Sequence, residues 1–133
     1  MESDDAQRLE RSGIRPSAQR LAIARYVLHA DTHPCADEVW SRVRQSFPMV
    51  SRATVYNTLN LFVAKGLLRE LVLTEGRLVF DPNTDKHHHF IDESSGRIYD
   101  LPWELVKVSR VEQIEGFDIK DYQVLLRGTK EDR

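Results

Sequence analysis

Apolar positions in the first half of the chain recur at spacings of three and four residues; in the second half they alternate. Leu21, Ala24, Val27 and Leu28 make one stripe at helical period, and Ser17 stands where an N-cap belongs. Val39, Trp40, Val43 and Phe47 make a second, with Asp37 and Glu38 in the first turn, where the helix dipole favours acids. Pro48 blocks continuation. Ser51 then caps a third helix whose Val55, Leu59 and Phe62 face inward, and Gly66 suits its C-terminal cap. A shorter helix, "DDAQRLERSG", precedes these and ends near Gly13. The period then switches to two. "LLRELVLTEGRLVFD" predicts a hairpin turning at Glu75-Gly76, and "HHHFIDESSGRIYDL" a second turning at Ser94-Ser95-Gly96. "PWELVKVSRVEQIEG" predicts a helix opened by Pro102, and "FDIKDYQVLLRG" a last strand.

Helices followed by a hairpin form a winged helix-turn-helix pattern. The fold class expected is therefore α/β, of the α+β kind: an N-terminal winged helix-turn-helix domain followed by a small α/β dimerisation domain. The boundary is expected near Asp81-Pro82-Asn83, giving 1–81 for the first domain, 82–84 for a hinge and 85–133 for the second. A strand–strand–helix–strand unit of about 45 residues is small for an independent core. Burial against a second copy solves that, so a homodimer is expected.

Composition narrows the class. Hydrophobic residues make up 41% and charged residues 30%, which suits a packed domain rather than a disordered one. No apolar run approaches the roughly 20 residues of a membrane span, and the acidic N-terminus lacks a secretory signal; a cytoplasmic protein with no membrane partner is expected. A single cysteine, Cys35, excludes an internal disulfide and any Cys-rich zinc cage. The net charge of −2 hides an asymmetry: residues 1–80 carry 11 Lys/Arg against 9 Asp/Glu, and residues 81–133 carry 8 against 12. From Arg11 to Ala30 there are four arginines and no acid, and from Val39 to Arg69 five basic residues and no acid. A surface built from those two segments can receive a polyanion.

The helix opening at Ser51 carries side chains that suit a duplex. Arg52 can contact phosphate or guanine, Asn57 and Asn60 can pair with adenine, and Thr54 or Tyr56 can touch a thymine methyl group. Such residues on a recognition helix enter the major groove. Arg15, ahead of the helix capped by Ser17, can reach phosphates or a minor groove. The DNA-contact set expected is Arg15, Ser51, Arg52, Thr54, Tyr56 and Asn57, on a double-stranded inverted-repeat operator.

The second constellation is "DKHHHF". Side chains alternate along a strand, so His87 and His89 share a face and His88 points to the other, where it is expected to be exposed. Asp81 lies six residues upstream, Asp100 on the partner strand, and His33 before "PCADEVW". Three imidazoles and two carboxylates make a nitrogen–oxygen site without sulfur, suited to Fe(II), Mn(II) or Zn(II). Drawn from both domains, the ion would strap one to the other.

"GIRPSAQR", "HPCADEVW", "SRATVYNTLNLF", "GLLRE" and "HHHFIDESSGRIYDL" resemble the ferric uptake regulator superfamily from about Gly13 to Gly128. The resemblance implies a homodimeric, metal-dependent transcription factor, mostly a repressor, with regulatory metal ligands at His33, Asp81, His87, His89 and Asp100. An Asp at the last position is similar to the peroxide-sensing branch, in which Fe(II) or Mn(II) is bound and His33 and His87 match the oxidation-sensitive histidines. Where many members hold structural zinc with two Cys-x-x-Cys pairs, Asp92 and Ser95 replace the first pair and the second is missing. The resemblance therefore implies no structural zinc of the tetracysteine kind and a dimerisation domain held by packing alone. A further family site falls near Lys86 and Tyr122, which are poor metal ligands. The His-His-His run and "EGFDIKDYQVLLRG" also resemble the haem-sensing iron response regulators, although the Cys-Pro haem motif is absent, since the order here is Pro34-Cys35. From another class, His87, His89 and Asp100 satisfy the formula of a non-haem iron enzyme, but half the chain is a DNA-binding pattern and no enzyme is expected.

Overall fold

The computed structural model describes residues 4–73 and 76–131. The chain divides into two compact units, Met1–Thr84 and Asp85–Arg133.

The first unit contains α1 (Asp4–Arg11), α2 (Ala18–Val27), α3 (Ala36–Ser46) and α4 (Arg52–Ala64), then strands β1 (Arg69–Val72) and β2 (Leu78–Asp81). The Ser17 hydroxyl accepts the Arg20 N–H at 3.1 Å, and the Ser51 hydroxyl accepts the Thr54 N–H at 3.0 Å. Each satisfies a helix-start donor that would otherwise have no partner in the helix. Gly66, at φ 82°, ends α4: the Leu67 N–H reaches back to the Phe62 carbonyl at 2.9 Å, closing the last turn as the sequence predicts. The inward stripes meet in one core, where Leu9, Ile23, Val27, Val39, Val55, Leu59 and Phe62 are wholly buried. β1 and β2 pair antiparallel, Arg69 opposite Asp81 and Val72 opposite Leu78, to form the wing. Glu75, half of the predicted turn, lies outside the described residues.

The second unit contains β3 (His87–Asp92), β4 (Ile98–Pro102) and β5 (Leu125–Gly128), in the order β4-β3-β5. β3 and β4 form the predicted hairpin, antiparallel, with His89 opposite Asp100. β5 runs parallel to β3, His89 opposite Leu125, on the edge away from β4, so the β4–β5 connection crosses over β3. The sequence predicts an α-helix there, opened by Pro102. The structure instead has two short 3-10 turns, Trp103–Leu105 and Val111–Gln113. Val106 is already extended (φ −124°, ψ 117°), and Arg110 sits at φ 67°, in the left-handed region that interrupts a helix. Four β-branched residues, Val106, Val108, Val111 and Ile114, lower helix propensity across the stretch. The last strand is also shorter than predicted, with residues 117–124 outside it.

At the β3–β4 turn, where the sequence lacks the first cysteine pair, Asp92, Ser94 and Ser95 are joined by hydrogen bonds. Asp92 Oδ1 accepts from the Ser94 backbone N–H (3.2 Å) and hydroxyl (2.8 Å), and Oδ2 accepts from the Ser95 hydroxyl at 2.8 Å. These bonds, that of Ser95 foremost and then that of Ser94, hold the Asp92 carboxyl below the usual carboxylate range. Among the described residues, no helix is long and apolar enough to cross a membrane.

Candidate metal centre and nucleic-acid face

In the second unit the pleat of β3 puts His87 and His89 on one face, their Nε2 atoms 2.9 Å apart. Asp100, in register with His89, presents Oδ1 at 3.5 Å from each of them. His87 Nδ1 lies 2.6 Å from the Asp85 carbonyl, which can only accept, so Nδ1 carries the proton and Nε2 offers a lone pair. Both rings are buried, at 4% and 2% exposure. The two imidazole nitrogens are close enough that one metal ion would be held by both.

In the first unit His33 adopts φ 54°, a left-handed conformation uncommon outside glycine. The loop is pinned because the Phe80 N–H donates to the Pro34 carbonyl at 2.9 Å. That bond sets His33 beside the end of β2, where its Nε2 lies 3.3 Å from Asp81 Oδ2. Asp81 Oδ1 accepts the Asn83 N–H at 2.9 Å, which orients the carboxylate. Both side chains are buried. Within each unit the candidate donors are imidazole nitrogens and carboxylate oxygens: His33 with Asp81 in the first, His87 and His89 with Asp100 in the second. This is the donor chemistry of a cysteine-free Fe(II) or Mn(II) regulatory site.

His88 does not follow its predicted exposure: it is completely buried. Its ring stacks on Trp103 at 4.5 Å between centroids, 14° from parallel, and Trp103 in turn meets Tyr122 at 5.0 Å. His88 Nδ1 accepts the Val124 N–H at 2.9 Å, so Nε2 carries the proton. The outer face of β3 is thus covered by the crossover. Lys86 lies over the Trp103 ring at 5.5 Å, so Lys86 and Tyr122 both border this aromatic cluster.

On the other predicted surface, Ser51, Arg52, Tyr56 and Asn57 are exposed on α4, Thr54 is half-buried, and Arg15 is exposed ahead of α2. Arg52 Nη2 contacts Asp37 on α3 at 2.7 and 2.9 Å from its two oxygens, and the Tyr56 hydroxyl donates to Asp37 Oδ1 at 3.0 Å. Asp37 carries no local sequence signal for this role, because its partners lie 15 and 19 residues away. Cys35 occupies the N-cap position of α3 without a side-chain capping bond, and donates its S–H to the Glu38 carboxylate at 3.2 Å. Burial pushes its thiol above the ordinary value, which argues against a reactive thiolate.

A winged helix followed by a sheet that presents nitrogen and oxygen donors is the architecture of a metal-binding transcription regulator. The comparisons give the family. The model of the ferric uptake regulator family matches residues 11–127, and the chain belongs to that family. It is 37% identical over 122 residues to the peroxide-responsive repressor PerR of Staphylococcus aureus strain Mu50, covering 90% of this chain and 82% of the relative, and 36% identical to its USA300 counterpart over the same shares. Among solved structures, the ferric uptake regulator from Pseudomonas aeruginosa with manganese matches with TM-score 0.73 at 23% identity, over 98% of this chain and all of that one. The Campylobacter jejuni peroxide stress regulator matches with TM-score 0.70 at 23% identity, over 100% and 99%. These two likenesses speak to the fold. The sequence relatives are peroxide-responsive repressors of that family.

Proposed function

We propose that the protein is a cytoplasmic homodimeric repressor whose affinity for an inverted-repeat operator depends on one Fe(II) or Mn(II) ion per protomer. His33 and Asp81 of the first unit and His87, His89 and Asp100 of the second are the ligands. The observation that carries this is the pair of buried Nε2 atoms of His87 and His89 at 2.9 Å with Asp100 beside them. A ligand shared between two units favours whichever arrangement brings its donors together. If that arrangement is the one matching two half-sites, metal raises operator affinity. Arg15, Ser51, Arg52, Thr54, Tyr56 and Asn57 supply the duplex contacts. In the second unit Leu105, Ile114, Phe117, Ile119 and Leu126 are exposed, and they supply apolar surface for the second copy.

Iron, if bound, would supply one-electron chemistry toward peroxide, and His33 and His87 are the side chains proposed to be oxidised. Loss of either as a ligand frees the operator. The alternative of haem sensing through His88 is disfavoured by that ring's complete burial against Trp103.

The test uses a duplex enriched from a randomised library by the Mn(II)-loaded chain. Wild type should bind it about 5–150-fold more tightly with Mn(II) than with chelator. His89→Ala should show no metal response, and a variant that still responds refutes the ligand set. Peroxide treatment of the iron-loaded chain should add one oxygen to a peptide containing His33 or His87. Its absence by mass spectrometry would leave metal sensing alone.

A further inference from the structure

The metal centre does not use the cluster where α3 meets α4. Asp37, in the first turn of α3, grips Arg52 through Nη2 and receives the Tyr56 hydroxyl. The guanidinium also lies 5.5 Å from the Tyr56 ring centroid and 5.9 Å from that of Trp40. Trp40 is itself anchored, its indole N–H reaching the Val50 carbonyl at 3.3 Å.

An acid on a face meant for phosphate is a disadvantage, because it repels the polyanion that Lys and Arg attract. What it contributes is geometry. Arginine is long and loses much rotamer freedom on docking; a carboxylate that already holds it removes part of that loss. The contacts to Asp37 all run through Nη2, leaving the donors of Nη1 and Nε for a base edge. The pair is half-exposed on both sides, at 56% and 55%. Exposed pairs of this kind are weak, too weak to withhold Arg52 from DNA but sufficient to bias its rotamer.

We infer that Asp37 is a positioning residue that sets sequence specificity, by fixing Arg52 and Tyr56 in the pose in which they read bases. The inference rests on the proposed role of α4 as recognition helix, and the test separates the two. Full-length, Mn(II)-loaded wild type, Asp37→Ala, Asp37→Asn and Arg52→Ala are titrated with the library-enriched duplex and with a shuffled duplex of the same composition. Asp37→Ala should lower the ratio of enriched to shuffled affinity about tenfold, within the range of one good base contact. Binding to the shuffled duplex should hold or tighten, since a negative charge has been removed. Asp37→Asn should fall between, because its amide oxygen still accepts from Tyr56. If Asp37→Ala weakens both duplexes equally, its role is structural; if it tightens both equally, Asp37 is a restraint rather than a guide. Either result overturns the inference, as does an unchanged ratio. If Arg52→Ala leaves the ratio intact, the reading of α4 itself fails. If Arg52→Ala lowers it and Asp37→Ala does not, only the role of Asp37 falls.

Discussion

Between Leu9 and Phe80 the buried side chains are nearly all hydrocarbon, with Phe62 and Phe80 the largest; between His87 and Ile98 they are three imidazoles, one carboxylate and an isoleucine. Among the described residues, Ile98 is the one hydrophobic side chain of the second unit that is buried. The first unit therefore folds on the ordinary driving force, removal of apolar area from water. The second, roughly 50 residues long, has little buried hydrocarbon of its own to draw on. A core of hydrocarbon is indifferent to its solution. Buried imidazoles and carboxylates, by contrast, are groups that can bind a metal ion.

The comparison is broken most forcibly from the hydrocarbon side. Phe62→Ala removes a wholly buried ring from the centre of the first core and should cost about 3–5 kcal/mol in chemical denaturation. A loss below about 1 kcal/mol would mean that this unit is not held by its apolar core.

Metal sharpens the contrast next. Mn(II) at about 100 times its dissociation constant should raise the unfolding free energy of wild type by about 2.7 kcal/mol, and that of His89→Ala by nothing. Phe62→Ala should keep its metal increment if its fold survives, because it removes no donor. An increment in His89→Ala equal to wild type would separate the metal from the β3 imidazoles.

His88 comes third. His88→Phe keeps a flat ring against Trp103 but deprives the Val124 N–H of its acceptor, and should cost about 1–3 kcal/mol by denaturant titration. A variant as stable as wild type would show that apolar stacking suffices and that the imidazole is incidental.

How much of this was legible in the sequence follows from the range of the interactions. The four helices and both hairpins were, because the period of apolar positions, Ser17 and Ser51 at the caps, and Gly66 all act within one or two turns. The shared face of His87 and His89 was legible for the same reason, since alternation is a property of the strand itself. The burial of His88 was not, because it is made by Trp103 and Val124, which reach it from 15 and 36 residues further along the chain. The crossover was not legible either, because Pro102 resembles a helix start, whereas the β-branched residues behind it and the left-handed Arg110 prevent a helix from propagating. The grip of Asp37 on Arg52 joins two helices whose meeting no local pattern records.

The smallest effect lies at the β3–β4 turn, and it tests whether directional bonds really substitute for a missing clamp. Asp92 accepts from Ser94 and Ser95, and those bonds hold its carboxyl below the ordinary range. A group whose folded pKa lies below its unfolded value contributes stability that is fully present above the unfolded value and is lost as pH falls through the folded one. Wild type should therefore lose stability on the acid side of the carboxylate range, and Asp92→Asn should show a shallower acid limb. The two proteins should differ most near neutral pH and converge in strong acid. Because the Ser95 hydroxyl is the larger influence, Ser95→Ala should move the acid limb toward higher pH more than Ser94→Ala does. Thermal melts of the four proteins across the acid range read this order directly. Superimposable limbs would mean that the turn is held by its backbone alone, and that the second unit needs less from its polar side chains than its buried histidines imply.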